Sequence, residues 1–230
     1  MKTSNKILLI AGATPVLIVF LLMILFKILP LKDKESQGLS EITAGQAANE
    51  QTVPLYDFNG ISATGAWDIR LVRSDEYSVK IETGVCSKND TGALLLINDR
   101  MPGKQAIATI SLPMISSIDM TGNANLRLSG FKADFLSIHI QGTSNISGTG
   151  SQITKLALTG EGILNADLTG VAVSNADIKC NGTYTIGLLM KGGRLSGMLN
   201  GAGTVTYQGD VSVNEIQVAN PEGKVLHFSN

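Results

Sequence analysis

The sequence predicts an all-β domain, the coils of a parallel β-solenoid, carried behind one N-terminal transmembrane helix. Three observations lead there. From Val53 onward helical periodicity is absent and apolar residues alternate with polar ones. Five glycine-centred segments recur at a spacing near 20 residues. Lys6 and Lys27 bracket twenty residues without a charge, ILLIAGATPVLIVFLLMILF.

The apolar run comes first along the chain. Twenty residues of helix rise about 30 Å, the thickness of the bilayer's hydrocarbon core. A helix satisfies its own backbone polar groups there, and Gly12 and Pro15 are tolerated in such spans. A cleaved signal peptide would have an apolar core of roughly 7–15 residues and a small-x-small site soon after it. This run is longer and no such site follows, so an uncleaved signal-anchor over residues 7–29 is expected, behind a short tail at 1–6. Lys2 and Lys6 flank one end and Lys27, Lys32 and Lys34 the other, so the positive-inside count is nearly balanced. The short tail is taken to place the N-terminus inside and the domain outside the cytoplasm. Residues 30–52 are polar, lack strand alternation and read as a linker.

Strand signals follow. Trp67, Ile69 and Leu71 alternate with Asp68, Arg70 and Val72; Arg73-Ser74-Asp75-Glu76 reads as a turn; Tyr77, Val79 and Ile81 alternate again. That pattern predicts a hairpin. Further strands are expected at 94–97 and 107–112, the second ended by Pro113. Residues 53–115 form the N-terminal, capping part of the domain.

The repeat occupies 116–220. Aligned on one glycine each, the segments are IDMTGNANL, IHIQGTSNI, LALTGEGIL, IKCNGTYTI and GMLNGAGTV. The aligned glycines are Gly122, Gly142, Gly160, Gly182 and Gly201, separated by 20, 18, 22 and 19 residues. Two residues before them stand Met120, Ile140, Leu158, Cys180 and Leu199; four after stand Leu126, Ile146, Leu164, Ile186 and Val205. A unit this short cannot bury its own apolar side, so the units stack into one continuous core. About five coils of roughly 20 residues result. An antiparallel sandwich of short strands is the competing arrangement. Residues 221–230 are left as a C-terminal tail.

Composition excludes several functions. Net charge is -1, so no basic face points to nucleic acid. Aromatics are 5%, too few for an aromatic sugar platform. The only cysteines, Cys86 and Cys180, have no CxxC or Cys/His partner, so no metal or cofactor is expected; whether they are bridged stays open. His139 lies on the polar side of its strand and His227 near the terminus. Asp119, Asp134, Glu161, Asp167, Asp177 and Asp210 sit at differing offsets from the glycines, so no acid/base pair is built and no catalytic residue is assigned. A carboxylate beside Arg127 or Arg194 would favour a polysaccharide-cleaving enzyme instead. Asn125 and Asn145 share an offset and begin a ladder that Ile163 interrupts.

FNGISATGAWDIRL, ISLPMISSIDMTG and the successive GNANL, GTSNI and GEGIL turns resemble the bacterial auto-transporter adhesin head GIN domain family, over roughly residues 56–209. The resemblance implies an extracytoplasmic right-handed β-helix of the bacterial envelope and no catalytic residues. The expected function is a membrane-tethered, adhesin-like binding or structural module, with a polysaccharide-processing enzyme or a signalling or spacer domain as the alternatives. Its expected partners are the membrane, an envelope glycan or protein, and a second copy of the chain.

Overall fold

The computed structural model describes residues 42–43, 51–53, 55–89, 92–98 and 104–228. All belong to the second of two units into which the chain divides, Ser40–Asn230. The expected membrane helix at 7–29 lies outside the described residues, among which no helix is long and apolar enough to cross a membrane.

Among the described residues the regular structure is twelve strands. They are β1 (Ile42–Thr43), β2 (Gln51–Val53), β3 (Gly60–Arg73), β4 (Ser78–Ile81), β5 (Val85–Lys88) and β6 (Leu94–Asn98). Then come β7 (Ala106–Leu112), β8 (Ser117–Ser129), β9 (Lys132–Met190), β10 (Arg194–Gln208), β11 (Val213–Val218) and β12 (Gly223–Phe228). β1 and β2 fall within the stretch expected to be a linker.

From β3 onward each layer lies parallel to the one before it. β3 pairs with β8 from Gly60↔Ser117 to Val72↔Ser129. β8 pairs with β9 from Ser117↔Ser137 to Ser129↔Thr149. β9 pairs with β10 from Ala176↔Leu195 to Leu189↔Gln208, and β10 pairs with β11 and β12. β9 is a single extended run of 59 residues. It returns on itself, because Gly162 lies against Gly142 and Gly182 against Gly162.

The N-terminal side is different, and it makes the sheet mixed. β6 and β7 lie parallel to β3 on its other edge. β5 runs antiparallel to β6, β4 antiparallel to β7, β1 to β5 and β2 to β4. The expected hairpin of β3 with β4 does not form, since β7 lies between them. Alternation sets the face of each side chain and leaves the partner strand undetermined.

One side chain in two points inward. Ile118, Ile138, Leu158 and Ile178 are each at most 1% exposed and follow one another at 20-residue intervals. Each contributes about 1.5–3 kcal/mol relative to remaining in water. Trp67, Phe58, Phe131 and Tyr184 are the bulkiest buried side chains. Phe58 and Tyr77 meet at a ring distance of 5.2 Å.

The corner between two sides of the stack is a glycine column, and here the structure corrects the alignment. Gly65, Gly122, Gly142, Gly162, Gly182 and Gly201 stand in it, and Gly160 does not. All six have positive φ, from +102° to +156°. A Cβ on Gly142 would sit 2.3 Å from the carbonyl oxygen of Gly122, and one on Gly162 would sit 2.3 Å from that of Gly142. Both the backbone conformation and the close approach therefore require glycine. Gly160 faces inward two residues earlier, beside Leu164 and the Cys180 sulfur. A two-residue shift keeps every side chain on its face, so alternation could not reveal it.

Candidate functional site

Side chains one layer apart on the outer faces stand about 4.8 Å apart, the spacing of paired strands. The restored register continues the asparagine ladder through Asn165. Asn145 Nδ2 donates to Asn125 Oδ1 at 3.0 Å, and Asn165 Nδ2 to Asn145 Oδ1 at 3.4 Å. Asp68 is the partner of Asn125 one layer earlier. Ile163, which interrupted the series in the sequence, belongs to another column.

The surface carboxylates are dealt out singly. Arg127 Nη1 meets Asp68 Oδ1 at 2.5 Å, and Arg194 pairs with Glu215. Each arginine thus has a carboxylate beside it, as a polysaccharide-cleaving site would, and each contact is a one-to-one pair with an arginine about half exposed. Lys179 pairs with Asp177 at 3.2 Å. Asp167 accepts from the Thr169 hydroxyl at 2.6 Å, and Glu161 from Gln141 Nε2 at 3.5 Å. Asp119 is the strand partner of His139. His227 stacks on Tyr207 at 4.6 Å and its Nε2 lies 3.1 Å from the Gly209 carbonyl. Among the described residues no three His, Cys, Asp or Glu side chains group so as to hold a metal ion.

Cys86 and Cys180 are free and buried. Burial pushes the Cys86 thiol up to about 11. It pushes Cys180 up to about 12, against a smaller lowering by a backbone hydrogen bond from Gly160. Both stay protonated near neutrality, which makes them poor nucleophiles.

A groove of about 740 Å³ crosses several layers of the stack. Met114 and Phe135 line it and are 57% and 50% exposed. Ala133, Ile153 and Ala172 are the small or inward-facing residues of successive layers that leave room for it. Gln152, Thr154 and Ser174 supply uncharged polar groups, while Lys132, Lys191 and Asp134 supply the charges. Neither lysine has an ion-pair partner among the described residues. The alternation of apolar and polar residues in the sequence carries no sign of this groove.

A stack of repeated β layers with polar outer columns and an open groove defines the class, a repetitive all-β domain. Residues 57–170 match the family described as "Putative auto-transporter adhesin, head GIN domain". A crystal structure of a "putative adhesin" from Bacteroides fragilis is 15% identical, with a TM-score of 0.59, covering 81% of this chain and 100% of that one. A "putative adhesin" from Parabacteroides merdae is 17% identical, with a TM-score of 0.43, covering 81% and 98%. A "Putative lipid binding protein" from Parabacteroides distasonis is 12% identical, with a TM-score of 0.40, covering 78% and 96%. The Bacteroides fragilis likeness is one of fold. No curated protein matches the chain.

Proposed function

We propose that this chain is an adhesin-like, non-enzymatic binding module, a right-handed parallel β-solenoid tethered to the bacterial membrane by residues 7–29 and facing away from the cytoplasm. The family's adhesin description supports that placement. The observation that carries the reading is the groove, where exposed Met114 and Phe135 lie among amide and hydroxyl side chains on consecutive layers. Such a surface suits contact with an envelope glycan or protein. The one-to-one ion pairs of Arg127 and Arg194 leave no second carboxylate assigned to either, which weighs against glycoside cleavage. Self-association through the anchor or the ends of the stack fits the same reading.

Two measurements test it. Protease treatment of intact and permeabilised cells, with a C-terminal tag and the mass of the mature chain, reads topology. Digestion only after the outer barrier is opened, with residues 1–27 retained, supports the tethered module; protection throughout sinks it. Proteoliposomes carrying the full chain should sediment with isolated bacterial envelope material, and M114A/F135A should reduce this. Sedimentation no better than that of protein-free liposomes would count against a binding role.

A further inference from the structure

From the groove's chemistry we infer that its ligand is a linear acidic polysaccharide, a polyuronate, lying along the stack axis; this rests on the binding-module reading above. The lining residues come from successive layers, 114–116, 132–135, 152–154, 172–174 and 191. At about 4.8 Å per layer, the distance from the first to the last is roughly 19 Å. That is an elongated track across the strands, matched to a polymer rather than a compact small molecule.

The groove runs mainly over β9, whose strand backbones are already hydrogen-bonded to neighbouring layers. A peptide could not add to it as an extra strand. Recognition must come from side chains, and the two lysines are donors only while the amide and hydroxyls both donate and accept. Lys132 and Lys191 provide ammonium groups, Gln152 an amide, and Thr154 and Ser174 hydroxyls. Hydroxyls and amides suit sugar hydroxyls, and Phe135 and Met114 offer apolar surface to a sugar ring face. The two unpaired lysines stand three layers apart, roughly 14 Å, with Asp134 the one acidic lining residue. The net positive lining, and the separation of the lysines, call for carboxylates recurring along the ligand.

The test uses the full-length chain in lipid nanodiscs. Its probes are polygalacturonate, alginate, hyaluronate and fully methyl-esterified polygalacturonate, which has the chain of the first with each carboxylate masked as its uncharged methyl ester. At least one polyuronate should bind, and esterification should weaken polygalacturonate binding by about tenfold if that is the one bound. K132Q/K191Q should weaken binding by about tenfold, whereas K155Q, at an exposed lysine outside the groove, should leave it unchanged. Emission of Trp67 confirms that each variant is folded. Acid and ester bound equally, or no effect of K132Q/K191Q, overturns the inference. If binding is charge-independent yet lost in F135A, the inference falls and the binding-module reading survives. If no polymer binds, the inference also falls, and the sedimentation experiment decides the broader reading by itself.

Discussion

Asn145 sits one layer above Asn125 and donates from its amide nitrogen to the carbonyl oxygen of that side chain at 3.0 Å. Its own oxygen accepts from Asn165 at 3.4 Å, so it is the middle of a three-residue ladder. Each such bond between exposed amides contributes about 0.5–1 kcal/mol net. Asn145→Ala should therefore cost about 1–2 kcal/mol in denaturant unfolding, more than Asn125→Ala loses from the ladder. Equal costs for the two would mean that the amides do not act as a chain.

The glycine column offers a sharper contrast. Gly162→Ala places a Cβ 2.3 Å from the Gly142 carbonyl oxygen at a φ of +113°. Backbone cannot yield as a side chain can, so a loss on the order of 4 kcal/mol or more, or failure to fold, is expected. Gly160→Ala meets the end of the Leu164 side chain at 2.8 Å and the Cys180 sulfur at 3.7 Å. Repacking there should cost about 1–3 kcal/mol. Thermal unfolding of the two variants side by side measures the difference, and a reversed order would contradict the register described here.

The two thiols predict a pH dependence. Burial raises Cys86 to about 11 and Cys180 to about 12, above an unfolded value near 9.0. The folded chain holds these protons more tightly than the unfolded one, so their stabilising effect is complete below about pH 9. It is lost as pH rises, levelling off beyond pH 11 for Cys86 and pH 12 for Cys180. Denaturant midpoints from pH 8 to 11 should fall less in C86A/C180A than in the native chain. Alkylation of the native thiols at pH 8 should be slow and should become fast in denaturant.

Trp67, the single tryptophan, is fully buried, and its indole nitrogen donates to the Thr64 carbonyl at 3.0 Å. Its emission should be blue-shifted in the folded chain and move to the red on unfolding. Trp67→Phe removes the donor and part of the ring, for an expected loss of about 2 kcal/mol by circular dichroism melts.

The all-β character and the repeat were legible because buried strands leave a period of two and stacked layers a period near twenty. The inward positions Met120, Ile140, Leu126 and Ile146 followed directly. The phase of the third unit did not, since Gly160 and Gly162 both satisfy alternation and the column is selected by contact with the Gly142 backbone. That one displacement hid the continuation of the asparagine ladder. Strand partnership was equally hidden: β3 and β4 are neighbours in sequence, yet β7 separates them. The groove depends on which turns leave room between layers, and no motif in the chain encodes that.

The in-register glycine corner also limits how such a chain can change over generations. A single residue gained or lost within a strand would carry the side chains after it to the opposite face, whereas a turn can absorb one, as between Gly182 and Gly201, which are 19 residues apart and still in register. Whole turns of about twenty residues can be duplicated or deleted without that damage. Outward positions are meanwhile open to substitution one at a time. The corner thus confines changes of length to turns or to whole coils, and leaves the outward positions the most open to substitution.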